Sequence, residues 1–410
     1  MKTKLILVFF CFCFFISTVH SQDWSQWRGP NRDGALVASA IPGNWPEELT
    51  RVWRVEVGEG HSSPIVRNGK IFIFSRQNDQ ETVSCIDPGN GKSIWQQSYP
   101  APYKMHPAAT GHGKGPKSTP VASNNALVTM GISGILSCYD TENGKLNWQK
   151  KFAGEFENSS PVYGAAMSPL VSDNLLIIHV GGHDDGALIA ADLRSGKIKW
   201  QWTGDGPSYA SPIIATFQGT KQVVNFSQEH IIGIDFKTGK LLWQVPFKTP
   251  WLVSCATPLL VDNDLILTGY NQGVMRLRVL KKGGTWSTEQ VWKKPQFGNY
   301  MNTPVLFGNS VVTFSDRNKG QYGILDAATG EIYWRSRGRQ GDNAALIQAG
   351  EFLLSLQTDS RLIVSKPAKT GLQILREYSV ADSPTWAHPA IFDKKMLIKD
   401  KTNLTLWSLE

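Results

Sequence analysis

Four groups of residues carry the types and spacings from which chemistry would be built. The densest is His183–Asp184–Asp185, set inside Gly181–Gly186. Carboxylates and imidazole are metal-ligand types, but two adjacent carboxylates fall far short of the roughly six to eight oxygens that Ca²⁺ takes. With glycine on both sides, the triplet is expected at a polar hairpin tip, and no metal ligands are assigned. Next comes Gly111–His112–Gly113–Lys114–Gly115–Pro116–Lys117–Ser118. It has the composition of a phosphate loop, but Pro116 stands where the second glycine is required. It also leads into a strand, whereas a phosphate loop opens a helix. The expectation is a flexible loop on the rim of the second repeat. His106 and His112 flank this stretch, six residues apart, and are expected to be solvated.

The fourth group is dispersed: His61, Lys117, Tyr163, Tyr209, Trp251, Tyr300 and Trp386. Each lies just before a run that opens a repeat, so the fold sketched below crowds them at one end of a central channel. Aromatic and basic groups around a funnel suit a planar anionic ligand or an extended peptide. They are the candidate ligand-binding residues. No Ser-His-Asp order, His-Glu-x-x-His helix or carboxylate pair stands out, and no catalytic residue is assigned.

What must position these groups is a repeat. Asp, three residues, Gly, usually Lys, two residues and Trp recur with one spacing at Asp87–Gly91–Trp95, Asp140–Gly144–Trp148, Asp192–Gly196–Trp200, Asp235–Gly239–Trp243 and Asp326–Gly330–Trp334. Each copy lies between β-rich runs and reads as a hairpin loop. The Asp carboxylate accepts from turn N–H groups, Gly supplies a positive φ, and Trp falls at a fixed register on the next strand, where it stacks neighbouring units. A second pattern is interleaved. Ser63–Pro64, Thr119–Pro120, Ser168–Pro169, Ser211–Pro212, Thr257–Pro258 and Thr303–Pro304 each open a β-rich run, with His388–Pro389 as a variant. Proline suits a strand start with a free edge. Degenerate copies at Trp292, Asn343–Leu346 and Gly371–Leu375 complete the series.

Trp or its equivalent then falls at 53, 95, 148, 200, 243, 292, 334 and 375, separated by about one four-stranded blade. The last unit, 387–409, holds three strand-like runs, and 51–57 is an orphan strand near the other end. Pairing them closes a ring and removes two exposed edges. The predicted fold is therefore an all-β, eight-bladed propeller over 51–410, a single domain, preceded by an extension over 22–50 and a leader over 1–21.

The leader is read from Lys2 and Lys4, the apolar run Leu5–Ile16, and the small residues Val19 and Ser21. Cleavage is expected after Ser21, placing the mature protein in the periplasm or outside the cell. Cys11 follows Phe10 and Cys13 follows Phe12, which argues against lipidation. No later segment is apolar enough to span a membrane. The basic excess is dispersed, which argues against nucleic acid as a partner. Cys85, Cys138 and Cys255 remain, an odd number; the first two share one interior strand position and are expected as buried free thiols.

The Asp-x-x-x-Gly-Lys-x-x-Trp copies resemble the tryptophan-docking repeats of pyrroloquinoline-quinone (PQQ) propellers, and markers of WD40 and kelch propellers are absent. Trp24–Ser25–Gln26–Trp27–Arg28–Gly29–Pro30–Asn31–Arg32–Asp33–Gly34 is similar to a segment that precedes such propellers in exported bacterial proteins. The resemblance implies two kinds of role. One is PQQ-dependent dehydrogenation of alcohols or sugars, with Ca²⁺ as co-ligand. The other is a non-catalytic scaffold, as in the outer-membrane assembly lipoprotein BamB. The dehydrogenases of this family carry a vicinal Cys-Cys pair, a Ca²⁺ site and a catalytic Asp, none of which can be matched here. The expectation is therefore an exported, monomeric scaffold that binds a protein or small-molecule ligand on one face, with a PQQ-dependent oxidoreductase as the alternative.

Overall fold

A computed structural model describes residues 23–410. The leader, Cys11, Cys13 and the cleavage after Ser21 lie outside the described residues. The chain forms eight antiparallel sheets of four strands each, arranged as the blades of a propeller, one of them carrying a short fifth strand. The innermost strands are Ile65–Arg67, Val121–Ser123, Leu170–Ser172, Ile213–Phe217, Leu259–Val261, Val305–Phe307, Ala344–Ala349 and Ala390–Phe392. The Ser/Thr–Pro pairs and His388–Pro389 stand immediately before them, as the missing proline N–H predicts. Blades 1 to 8 are numbered in this order. Ring closure is made by Thr50–Glu56 pairing antiparallel with Asn403–Ser408, one residue earlier than the sequence pattern suggested.

The core is distributed between blades. Phe72 and Cys85 of blade 1 pack with Leu127 and Tyr139 of blade 2, and Leu176 and Ile189 of blade 3 with Val128 and Leu136 of blade 2. The same arrangement continues around the ring, ending in one cluster shared by blades 7, 8 and 1. Cys85 and Cys138 are buried free thiols within these interfaces.

The repeat explains how the interfaces are locked. In each docking loop the Asp Oδ1 accepts from a backbone N–H two or three residues on, as from Gly89, Glu142, Ser195, Thr238 and Thr329. Gly91, Gly144, Gly196, Gly239 and Gly330 have φ between +67° and +74°. They are glycine for a second reason: a Cβ there would lie 2.6–2.9 Å from the indole of the preceding blade. Each indole N–H then donates to the carbonyl of the residue after the docking Asp. Trp53 reaches Pro88, Trp95 reaches Thr141, Trp148 reaches Leu193, Trp200 reaches Phe236 and Trp292 reaches Ala327, at 2.8–3.1 Å. Trp243 departs from the pattern. Its neighbour, blade 5, runs its outer strands on to a Gly283–Gly284 turn and presents no such loop, so Trp243 donates to Gln222 Oε1 within its own blade.

The extension is not an appendage. Residues 24–36 enter one end of the central channel and bind the innermost strands, whose channel-facing edges are otherwise unpaired. Val66 N–H donates to Trp24 O and Ala122 N–H to Ser25 O. Arg28 donates to the carbonyls of Thr303, Pro304 and Asp33, and Arg32 to those of Ser168 and Pro169. Ala35–Leu36 adds a parallel strand to Ala344–Ala349. Both guanidinium groups are buried, at 1% and 3% exposure, and burial pulls Arg28 down to about 10 and Arg32 to about 9. The planar, five-donor guanidinium is suited to gathering several carbonyls at once.

Candidate functional site

At the other end the channel opens into a cavity of about 430 Å³. The segments that precede the innermost strands supply its walls, and Trp27, bonded to Thr257 Oγ1 and against His388, lines it on the side where residues 24–36 cross the channel and close it. His61, Lys117, Tyr163, Tyr209, Trp251, Tyr300 and Trp386 all line it. The topology brings them together for a simple reason. Every Ser/Thr–Pro pair starts its strand at the same end of the channel, so the residues before it arrive at one mouth.

The aromatic wall is built in linked patches. Trp386 meets His112 at 5.0 Å and His61 at 6.3 Å between ring centres. Tyr163 faces Tyr209 at 5.9 Å, and Trp251 stacks on Tyr270, which in turn contacts Tyr300. Trp251 is 68% exposed and stands at the rim with a left-handed backbone, φ +54°.

The rim loop differs from the expected flexible loop. Pro107–His112 forms a 3-10 helix, capped by His106 Nδ1 accepting from Ala108 N–H. Gly115 packs against Gly60, where a Cβ would meet backbone at 2.4 Å. The two loop histidines part company: His106 turns to Tyr163, while His112 lines the cavity, and its carbonyl accepts from His61 Nε2 at 3.0 Å. Burial first, then the neighbouring His112 and Lys117, hold His61 neutral, its pKa pulled down to about 3.

Lys117 is the cation of the lining. Its Nζ donates to Tyr163 O at 2.7 Å, and burial pulls it down to about 8. A relay supports it: Tyr163 N–H donates to Tyr209 Oη, which lies 3.2 Å from His183 Nε2. The His183–Asp184–Asp185 triplet is a hairpin tip, as its glycines predict, and its members face different partners. Asp184 Oδ1 accepts from Gln228 Nε2 and Asp185 from Glu157 N–H.

One element escaped the sequence pattern. The Ser and Thr of the Pro pairs are joined by hydrogen bonds from one blade to the next in two runs. Ser63 N–H donates to Thr119 Oγ1, Thr119 N–H to Ser168 Oγ, Ser168 N–H to Ser211 Oγ, and Thr257 N–H to Thr303 Oγ1, at 2.9–3.2 Å. Trp27 Nε1 joins the second run at Thr257 Oγ1. The recurrence of a hydroxyl before proline was the signal.

PQQ with Ca²⁺ can be tested against this donor set. PQQ is a planar tricarboxylate, and its Ca²⁺ needs carboxylate oxygens. The aromatic rings would stack a planar group, but among the described residues the lining contains no Asp or Glu and one Lys. Cys255, the thiol in the wall, has no vicinal partner and is pushed by burial up to about 12. The residues present do not fit the PQQ–Ca²⁺ pair.

Comparison with known proteins gives one family match and several distant relatives. Residues 79–336 match the family described as outer membrane protein assembly factor BamB. The protein of that name from Shewanella oneidensis is 22% identical over 361 residues, 85% of this chain and 75% of its own length. That from Yersinia pestis is 23% identical, with 58% of this chain matched to 61% of its length. The quinoprotein alcohol dehydrogenase PedH of Pseudomonas putida is 23% identical over 54% of this chain and 36% of its own. Among solved structures, BamB from Moraxella catarrhalis superposes with a TM-score of 0.63 at 17% identity, covering 88% of this chain and 97% of the other. A europium-containing methanol dehydrogenase superposes with a TM-score of 0.54 at 12% identity, covering 92% and 89%. At these identities the superpositions speak to fold alone.

Proposed function

We propose, from the premise that this chain belongs to the family of outer membrane protein assembly factor BamB, that it is an exported, non-catalytic binding protein of the cell envelope. In this reading the channel-mouth cavity takes up a segment of a polypeptide. The observation that carries it is the cavity itself: a concave, aromatic-walled recess at the mouth of a channel closed behind by residues 24–36, with no carboxylate in its lining among the described residues. Aromatic anchors in a desolvated pocket are the usual source of polypeptide affinity. The relatives' shared name, outer membrane protein assembly factor, supports a protein partner.

The test is a titration of an unfolded outer-membrane β-barrel polypeptide, held soluble in dilute urea, into the wild type and into Tyr209→Ala/Trp386→Ala. Loss of two central aromatic groups is expected to weaken binding by about 30-fold or more. Equal affinity in the two proteins would remove the mouth as the binding face.

A further inference from the structure

The cavity has a polarity that the polypeptide reading does not by itself require. Lys117 is half-buried among aromatic rings, and one of its three N–H donors is used, on Tyr163 O. Ser168 and Ser211 also line the cavity. Each Oγ already accepts from the backbone N–H of the preceding hydroxyl residue in the run, so each has its own O–H left to donate, and among the described residues neither has an acceptor. Lys117 sits two residues from Thr119, whose N–H is bonded to Ser168 Oγ, so ammonium and hydroxyl share one wall. Behind the floor, Arg28 and Arg32 add two buried positive charges, with Asp33 close to Arg28. Positive charge in a low-dielectric recess concentrates field at its open end. The cavity is therefore an apolar recess with surplus donors, net positive surroundings and, among the described residues, no anion of its own.

It is also blind. A chain that runs through a site needs two exits, and residues 24–36, bound across the channel at Trp24–Val66, Ser25–Ala122, Trp27–Thr257 and Arg28–Thr303, occupy one of them. A blind recess accepts a side chain or a chain end. Donors for a single anion beside an aromatic wall fit a terminal carboxylate whose last side chain is large and apolar.

We propose that the channel-mouth cavity holds the carboxyl-terminal residue of an extended polypeptide, with the carboxylate on Lys117 Nζ and the Ser168 and Ser211 hydroxyls and the side chain against Tyr209 and Trp386. This rests on the polypeptide reading above and specifies which part of the chain is recognised.

The experiment uses fluorescein-labelled hexapeptides ending in phenylalanine, as the free acid and as the carboxamide, with wild type and Lys117→Met. Wild type binds the acid at least ~10-fold more tightly than the amide, as a charge-assisted hydrogen bond requires. In Lys117→Met that preference disappears, while the melting temperature reports that the variant is folded; Lys117→Arg restores part of it. Affinity for the acid falls as pH rises through about 8, where the free ammonium loses its proton. His61 and His112 are already neutral there, and the Cys255 thiol is still protonated, so neither masks the slope.

Four results would overturn the proposal: equal binding of acid and amide, an acid preference that survives Lys117→Met, no binding of the acid at millimolar peptide, or indole-3-acetate binding as tightly as the acid peptide. The last would mark a small-molecule site. The broader reading fails separately, when the unfolded polypeptide ignores Tyr209→Ala/Trp386→Ala.

Discussion

Trp200→Ala is expected to lower the unfolding free energy by about 3–5 kcal/mol, read as a shift of the urea midpoint. Trp200 is 8% exposed and packs with Ile177, Leu188 and Ala190 of blade 3 and with Val223, Ile232 and Phe236 of blade 4. Its indole N–H holds Phe236 O at 3.0 Å, and its ring lies on Gly239. Alanine leaves a cavity between two blades and strands that carbonyl. The loss is large because the ring cannot close over the gap: each blade's position is fixed by its neighbour on the other side. A loss below about 1 kcal/mol would contradict the interlocked core.

Acid is expected to destabilise the protein through histidines held neutral. His179 is 2% exposed, lies 3.0 Å from Asp205 O through Nε2, and accepts from Asn225 Nδ2 at Nδ1. Nδ1 is thus already an acceptor, and burial pulls the ring's pKa down to about 4. Below the ordinary value of 6.5 the unfolded chain takes up a proton that the folded chain refuses, so stability falls as pH falls from about 6.5 to about 4. The slope from this one ring is about 1.4 kcal/mol per pH unit, or about 3 kcal/mol across the window. His61 and His388, both held down to about 3, act in the same direction. Denaturant unfolding between pH 7 and 4.5 gives the slope. His179→Gln, with no titrating ring, should show a slope shallower by about 1.4 kcal/mol per unit. Identical slopes in the two proteins would contradict a neutral His179.

The parts of this molecule differ in how far sequence reaches them, and the reason is range. The docking loops are local: Asp87, Gly91 and Trp95 are fixed by spacing, so their turn chemistry can be read without knowing what they touch. The mouth is readable at one remove, because the Pro pairs mark the same end of seven of the eight innermost strands, and that alone gathers residues from His61 to Trp386. What cannot be read that way is long-range. Arg28 binds carbonyls some 275 residues away at Thr303 and Pro304, and nothing local to either segment announces the contact. The neutral His179 depends on Asn225 and Asp205, one blade on. The rim loop's order comes from Gly115 seating on Gly60, a fit between two backbones. Composition also misleads at Trp243, which has the repeat's spacing but a neighbour whose hairpin has outgrown its docking loop.

We propose the mouth as a polypeptide site whose lining does not suit the PQQ–Ca²⁺ pair. Calorimetric titration of the purified protein separates the two most directly, with PQQ, with and without Ca²⁺, in one arm and the unfolded β-barrel polypeptide in the other. The account predicts saturable heat from the polypeptide, lost in Tyr209→Ala/Trp386→Ala, and none from PQQ in either condition. Tight, one-to-one, Ca²⁺-dependent binding of PQQ would contradict it.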